Sequence, residues 1–149
     1  MILRWVVASL HLLALPLGLG AVWARNRALL RARETHDLGR IFVADNLWGL
    51  AAALWIGTGL LRAFAGLEKG TSYYLHDRVF YIKMGLLVVI LLLEIWPMTT
   101  LIRWRIGARR GATLDLSAAP VLARISRIQA GLVVLMVFAA TALARGFFY

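Results

Sequence analysis

Two ionisable side chains, Lys83 and Glu94, interrupt an otherwise almost wholly apolar stretch, VFYIKMGLLVVILLLEIW, residues 79–96. On a helix the spacing turns them to within about 20° of one face but about 16 Å apart along the axis. They cannot bridge to one another. Each must find water, a headgroup or a partner on another element. Similar groups interrupt the other apolar stretches: His11 in the first, Asp45, Asn46 and Arg62 in the second, and Arg124, Arg127 and Gln129 at the start of the last. An imidazole can ligate haem iron. Acids, lysine and histidine at membrane depth are the residue types of proton relays and ion pathways. Soluble-enzyme signatures are missing: there is no Gly-rich phosphate loop, no GxSxG elbow and no HExxH helix. The absence of cysteine excludes disulfides, iron–sulfur clusters and covalent c-type haem. The histidines and carboxylates are too scattered to suggest a metal site.

The elements that must carry these groups are membrane helices. The chain of 149 residues is 62% hydrophobic and only 16% charged, below the roughly 25% of a soluble domain. The excess lies in four apolar runs, near 2–24, 41–65, 79–102 and 125–144. Each is long enough to cross a hydrocarbon core of roughly 30 Å as a helix. A spanning segment must satisfy its own backbone, and the alternation of a barrel strand is absent. The reading is an all-α, integral membrane four-helix bundle, one domain over 1–149. Val22-Trp23-Ala24 loosely resembles a signal-peptide cleavage site, but the run exceeds a usual h-region, so we read a retained helix. Pro97 is expected to kink or end the third span. Pro16 leaves the Leu12 carbonyl short of its helical donor.

Charge orients the bundle. The net charge is +10, concentrated in Arg25, Arg27, Arg31, Arg33 and Arg40 of the first connection and in Arg103, Arg105, Arg109, Arg110 and Arg124 of the third. The second holds only Lys69 and Arg78, with Arg62 close by. The positive-inside rule puts connections one and three in the cytoplasm and both termini outside, in a bacterial inner membrane. Basic loops of this kind attract anionic lipid headgroups. Nucleic acid is excluded as a partner, because the arginines flank membrane spans and form no separate folded patch. Trp5, Trp23, Trp96, Trp104, Tyr81 and Phe147 lie where interfacial anchors lie.

Depth then suggests partners. Asp45 and Arg127 share a level near the cytoplasmic edge and are expected to pair. Lys83 is expected to reach the outer interface. Glu94 is expected to face the bundle interior or a protein partner, with His11 its first neighbour and Asn46 and Gln129 as rivals. Asp45, Trp48, Ala52, Trp55, Gly59 and Arg62 form one stripe of the second span. Gly49, Ala53 and Gly57 form a small-residue stripe that permits close helix approach.

The segments ADNLWGLAAALWIGTGLLRAF, LEKGTSYYL, IKMGLLVVILLLEIWPMTTLIRWR and LHLLALPLGLGAVWARNRAL resemble a family of small bacterial four-helix membrane proteins of unassigned function, domain of unknown function 2214. More distantly, the chain is similar to the haem-dependent protoporphyrinogen oxidases and the related copper-resistance membrane domains. These carry a histidine in the first helix and a lysine early in a later one. That likeness implies b-type haem at His11, with Lys83 as the second matching position. Glu94 stands where the oxidases carry further histidines. The function expected is an accessory subunit or binding protein within a larger membrane complex, or a homo-oligomer, respiratory or photosynthetic. The alternatives are a tetrapyrrole-binding redox protein and a proton-relay or transport protein.

Overall fold

The computed structural model describes residues 1–67 and 71–146. Lys69 and Phe147 lie outside them. The described chain is helical: α1 (Ile2–Thr35), α2 (Leu38–Phe64), the short α3 (Thr71–His76), α4 (Arg78–Arg109) and α5 (Ala119–Ala144). Four of these helices are long and apolar enough to cross a membrane. The protein is an all-α membrane bundle.

The helices outrun the apolar spans read from the sequence. α1 continues through the arginines to Thr35, and α4 runs through Pro97 to Arg109. Pro97 therefore neither ends the helix nor stops its apolar seam. At about 1.5 Å per residue both helices stand well beyond a core of roughly 30 Å. Arginine is a good helix former, so the chain has no reason to stop at the edge of the hydrocarbon. Most of the first connection is thus helix. Only His36 and Asp37 turn the chain, His36 in the left-handed region with φ 53°. Asp37 caps α2 by accepting from the Arg40 N–H, and Asp77 caps α4 by accepting from the Val79 N–H at 2.8 Å. α4 ends at Arg109, and Gly111 just beyond it has a φ of 67° that suits glycine.

α2 packs on α1, α1 on α5, and α5 on α4. α2 and α4, which would close the ring, make few close backbone approaches. The seam between them is spanned by side chains. Buried apolar residues form two clusters. One contains Val22, Trp48, Ile90 and Val133, the other Leu29, Ile41, Leu101 and Leu122. Between them, at one level on all four long helices, lies a polar layer.

α1 and α2 come close at Gly18. A Cβ there would stand 3.4 Å from the Ala51 Cβ. The stripe expected to make such a contact, Gly49, Ala53 and Gly57, faces outward instead, and nothing lies within 4 Å of a Cβ built at either glycine. Trp5 and Tyr81 are exposed near the starts of α1 and α4, Trp23 and Trp96 are exposed well inside those extended helices, and Trp104 is 5% exposed and belongs to the core.

Candidate functional site

The polar layer is organised by Arg25. α1 carries its side chain into the bundle, where it is fully buried. Its five N–H groups all have acceptors. Nε donates to Ser126 Oγ at 3.0 Å. Nη1 donates to Asp45 Oδ1 at 2.8 Å and Glu94 Oε1 at 2.7 Å. Nη2 donates to Glu94 Oε2 at 2.9 Å and Gln129 Oε1 at 2.7 Å. The Arg25–Glu94 contact is the bidentate fork that fixes geometry as well as charge. Glu94 Oε2 also accepts from Trp48 Nε1 at 3.1 Å and Gln129 Nε2 at 2.8 Å. Asp45 Oδ2 accepts from Arg105 Nη2 at 2.9 Å. Arg105 in turn donates to the Phe42 carbonyl and lies over the Phe42 ring.

Two arginines thus face two carboxylates, and the layer carries no net charge. Neutrality and full satisfaction are what make buried charges tolerable in a low-dielectric interior. The layer also joins every long helix: Arg25 from α1, Asp45 and Trp48 from α2, Glu94 and Arg105 from α4, and Ser126 and Gln129 from α5. Asp45 and Trp48 tie α2 to α4 across their open seam. A cavity of about 210 Å³ adjoins the layer, walled by Trp48, Trp55, Ile56, Leu87 and Leu91 with Asp45 and Glu94 at its rim.

A second group lies nearer the start of α1 and α4. His11 is buried, with Nδ1 2.8 Å from Thr58 Oγ1. Its ring stacks on Trp55 at a centroid distance of 5.2 Å and an interplanar angle of 15°. The Lys83 ammonium lies 5.0 Å from the Trp55 ring centroid, within cation–π range. His11, Trp55, Lys83, Arg4, Arg62 and Met84 are all in the wall of one cavity of about 670 Å³. Gly59 is the reason the imidazole fits: a Cβ there would lie 3.3 Å from His11 Cε1.

A family model described as "Predicted membrane protein (DUF2214)" matches residues 3–147. The chain belongs to this family. No curated protein and no solved structure matches it, so the wider likeness to the haem-dependent oxidases gains no support from these comparisons.

In this member of the family, several expected pairings are replaced by others. Asp45 pairs with Arg25 and Arg105. Arg127 is exposed and takes part in no ion pair among the described residues. Two residues can share a depth and still point away from each other around their helices, and here they do. Asn46 is exposed and outside the layer. His11 is not the neighbour of Glu94: the imidazole turns to Thr58 and Trp55, and Glu94 is held by Arg25, Gln129 and Trp48. Lys83 is half-buried, with its ammonium over Trp55. Lys83 and Glu94 share the inward face of α4 at different levels, one on each cavity.

Arg25 was hidden in the sequence among the arginines of the first connection. Its signal was periodicity. It falls on the face of α1 that buries His11, Ala14, Gly18, Val22 and Leu29 at helical spacing. Arg27, Arg31 and Arg33 fall outside that face and are exposed.

Proposed function

We propose that the protein is a non-catalytic inner-membrane binding protein, working as a subunit of a larger assembly, whose outer cavity holds a tetrapyrrole such as b-type haem. One observation carries the reading: His11, Lys83, Arg4 and Arg62 converge on a single cavity walled by Trp55. Its volume of about 670 Å³ lies within the roughly 300–1,000 Å³ of small-molecule sites. The residues fit the group chemically. Thr58 holds Nδ1 of His11, which orients the ring as the partners of ligating histidines do. Trp55, Leu12, Leu15 and Ile56 add an apolar wall. The basic side chains match the carboxylates of such a ligand. When bound, haem would supply one-electron chemistry; the chain supplies a fixed imidazole, an apolar wall and a cationic rim.

The polar layer argues against the proton-relay alternative. Glu94 and Asp45 are charge-matched and hydrogen-bonded by Arg25 and Arg105, and this suits a structural clamp better than a group that exchanges protons. Membership of a larger assembly is supported by the outward small-residue stripe of α2, a feature that permits close approach of another helix. Positive-inside charge supports both termini outside.

Visible absorbance of the protein purified from haem-replete membranes tests the reading. A Soret band is expected, lost in His11→Ala and kept in Arg127→Ala, since Arg127 is remote from the cavity. A protein without the band, which also fails to acquire it on titration with haemin, would refute tetrapyrrole binding. Migration of the solubilised protein on a native gel at the mass of a monomer alone would refute the assembly.

A further inference from the structure

A third cavity, about 800 Å³ and open to the outside, lies between the end of α1 and the start of α2. Its polarity reverses along its length. At one end stand Arg27 and Arg31, one turn apart on α1, with Arg40 of α2 opposite. At the other end stand Ala24, Val43 and Leu47. Val43 and Leu47 are 60% and 40% exposed, so the apolar end is a surface left open by the bundle. Leu47 lies about two turns, or about 10 Å, from the level of Arg40. Trp23, exposed just before this groove on α1, is a residue type that sits at the headgroup level.

The charge is unbalanced where the groove is polar. Asp37 is the single acid in its wall, and it is engaged with Arg40 at 3.3 Å and with the Arg40 N–H. Arg27 and Arg31 take part in no ion pair among the described residues, unlike Arg25 on the buried side of the same helix. Two guanidiniums with no acid of their own, above an exposed apolar wall, match a molecule with an anionic phosphodiester at one end and acyl chains at the other. Guanidinium is suited to phosphate by its planar fork.

We infer that this groove between α1 and α2 is a binding site for one anionic phospholipid. The phosphate lies between Arg27, Arg31 and Arg40, and an acyl chain runs along Val43 and Leu47. The site is separate from the outer cavity and does not depend on what that cavity holds. It differs from general attraction to basic loops in requiring particular arginines.

The test uses the full-length protein in detergent, with phosphatidylglycerol, phosphatidylcholine or inorganic phosphate added, and reads the shift in thermal unfolding midpoint and the lipid retained in native mass spectra. Phosphatidylglycerol is expected to raise the midpoint and to remain bound, whereas phosphatidylcholine and phosphate do neither. In the Arg27→Gln/Arg31→Gln variant retention should fall several-fold. In Arg103→Gln/Arg109→Gln, which loses the same charge from the exposed side of α4, it should be unchanged. Equal losses in the two variants would mean diffuse attraction and overturn the site. So would equal retention of phosphatidylcholine, protection by phosphate alone, or no retained lipid.

Discussion

Arg25 and Glu94 show how a single buried charge depends on its partners. Removing either member of a buried pair leaves the other uncompensated, which in protein interiors costs about 3–5 kcal/mol. Arg25→Leu leaves Glu94 without a cation and Asp45 with Arg105 alone, while Glu94→Leu takes from Arg25 its bidentate partner and leaves the Trp48 indole N–H without its acceptor. Each single change is expected to destabilise by on the order of 3 kcal/mol. The double change should cost clearly less than the sum, because the charges leave together. Unfolding in mixed micelles, read as a double-mutant cycle, checks this, and strict additivity would remove the pair as an energetic unit. Arg127→Leu, by contrast, should move the midpoint little, since its side chain is exposed. Glycine 59 makes a residue-scale prediction of its own. Gly59→Ala presses a methyl to 3.3 Å from His11 Cε1; it should displace the imidazole and weaken the Soret band of the proposed tetrapyrrole more than it lowers stability.

At the scale of elements, the α1–α2 contact is set by Gly18 and the α2–α4 seam by charge. Gly18→Ile drives a branched side chain into Ala51 and Trp48 and should destabilise by about 1–3 kcal/mol, the range for overpacking. Gly57→Ile points into open space, so the monomer's unfolding midpoint should hold. If the two variants behave alike, α1 does not pack on α2 as described. The connection from α4 to α5 carries a pH dependence. Ser117 N–H donates to Asp115 Oδ1 at 2.9 Å, and this hydrogen bond holds the Asp115 carboxyl below its ordinary range. A carboxyl depressed on folding contributes fully above its unfolded value and loses that contribution as pH falls through the folded one. Protection of the Ser117 amide, its exchange rate relative to the intrinsic rate at the same pH, should therefore hold near neutrality and fall in acid. In Asp115→Asn it should have no such acid step.

The whole molecule is a bundle with one open seam, clamped by a neutral polar layer between two apolar clusters, and the positive-inside rule predicts its orientation. A reporter inserted after Gly66 is expected to read as periplasmic and one after Gly111 as cytoplasmic; the reverse pattern would overturn the orientation. The class of the protein was legible in the sequence alone. Long apolar runs admit only helices in a bilayer, and this follows from composition without any knowledge of contacts. The inward burial of Glu94 was legible for the same reason, since an acid at that depth cannot face lipid cheaply. Gln129 could be named as a rival partner from depth. The rest required the third dimension. Depth gives one coordinate of a side chain, and its direction around the helix is fixed only when helices choose their neighbours. So Asp45 went to Arg25 and Arg105 and not to Arg127, and His11 turned to Thr58 and Trp55. Helix ends were hidden because arginine continues a helix past the hydrocarbon edge. That concealed Arg25, which reads as one more loop cation until α1 is seen to carry it into the core. Its role was decided by packing, because only the assembled bundle brings five acceptors to one guanidinium.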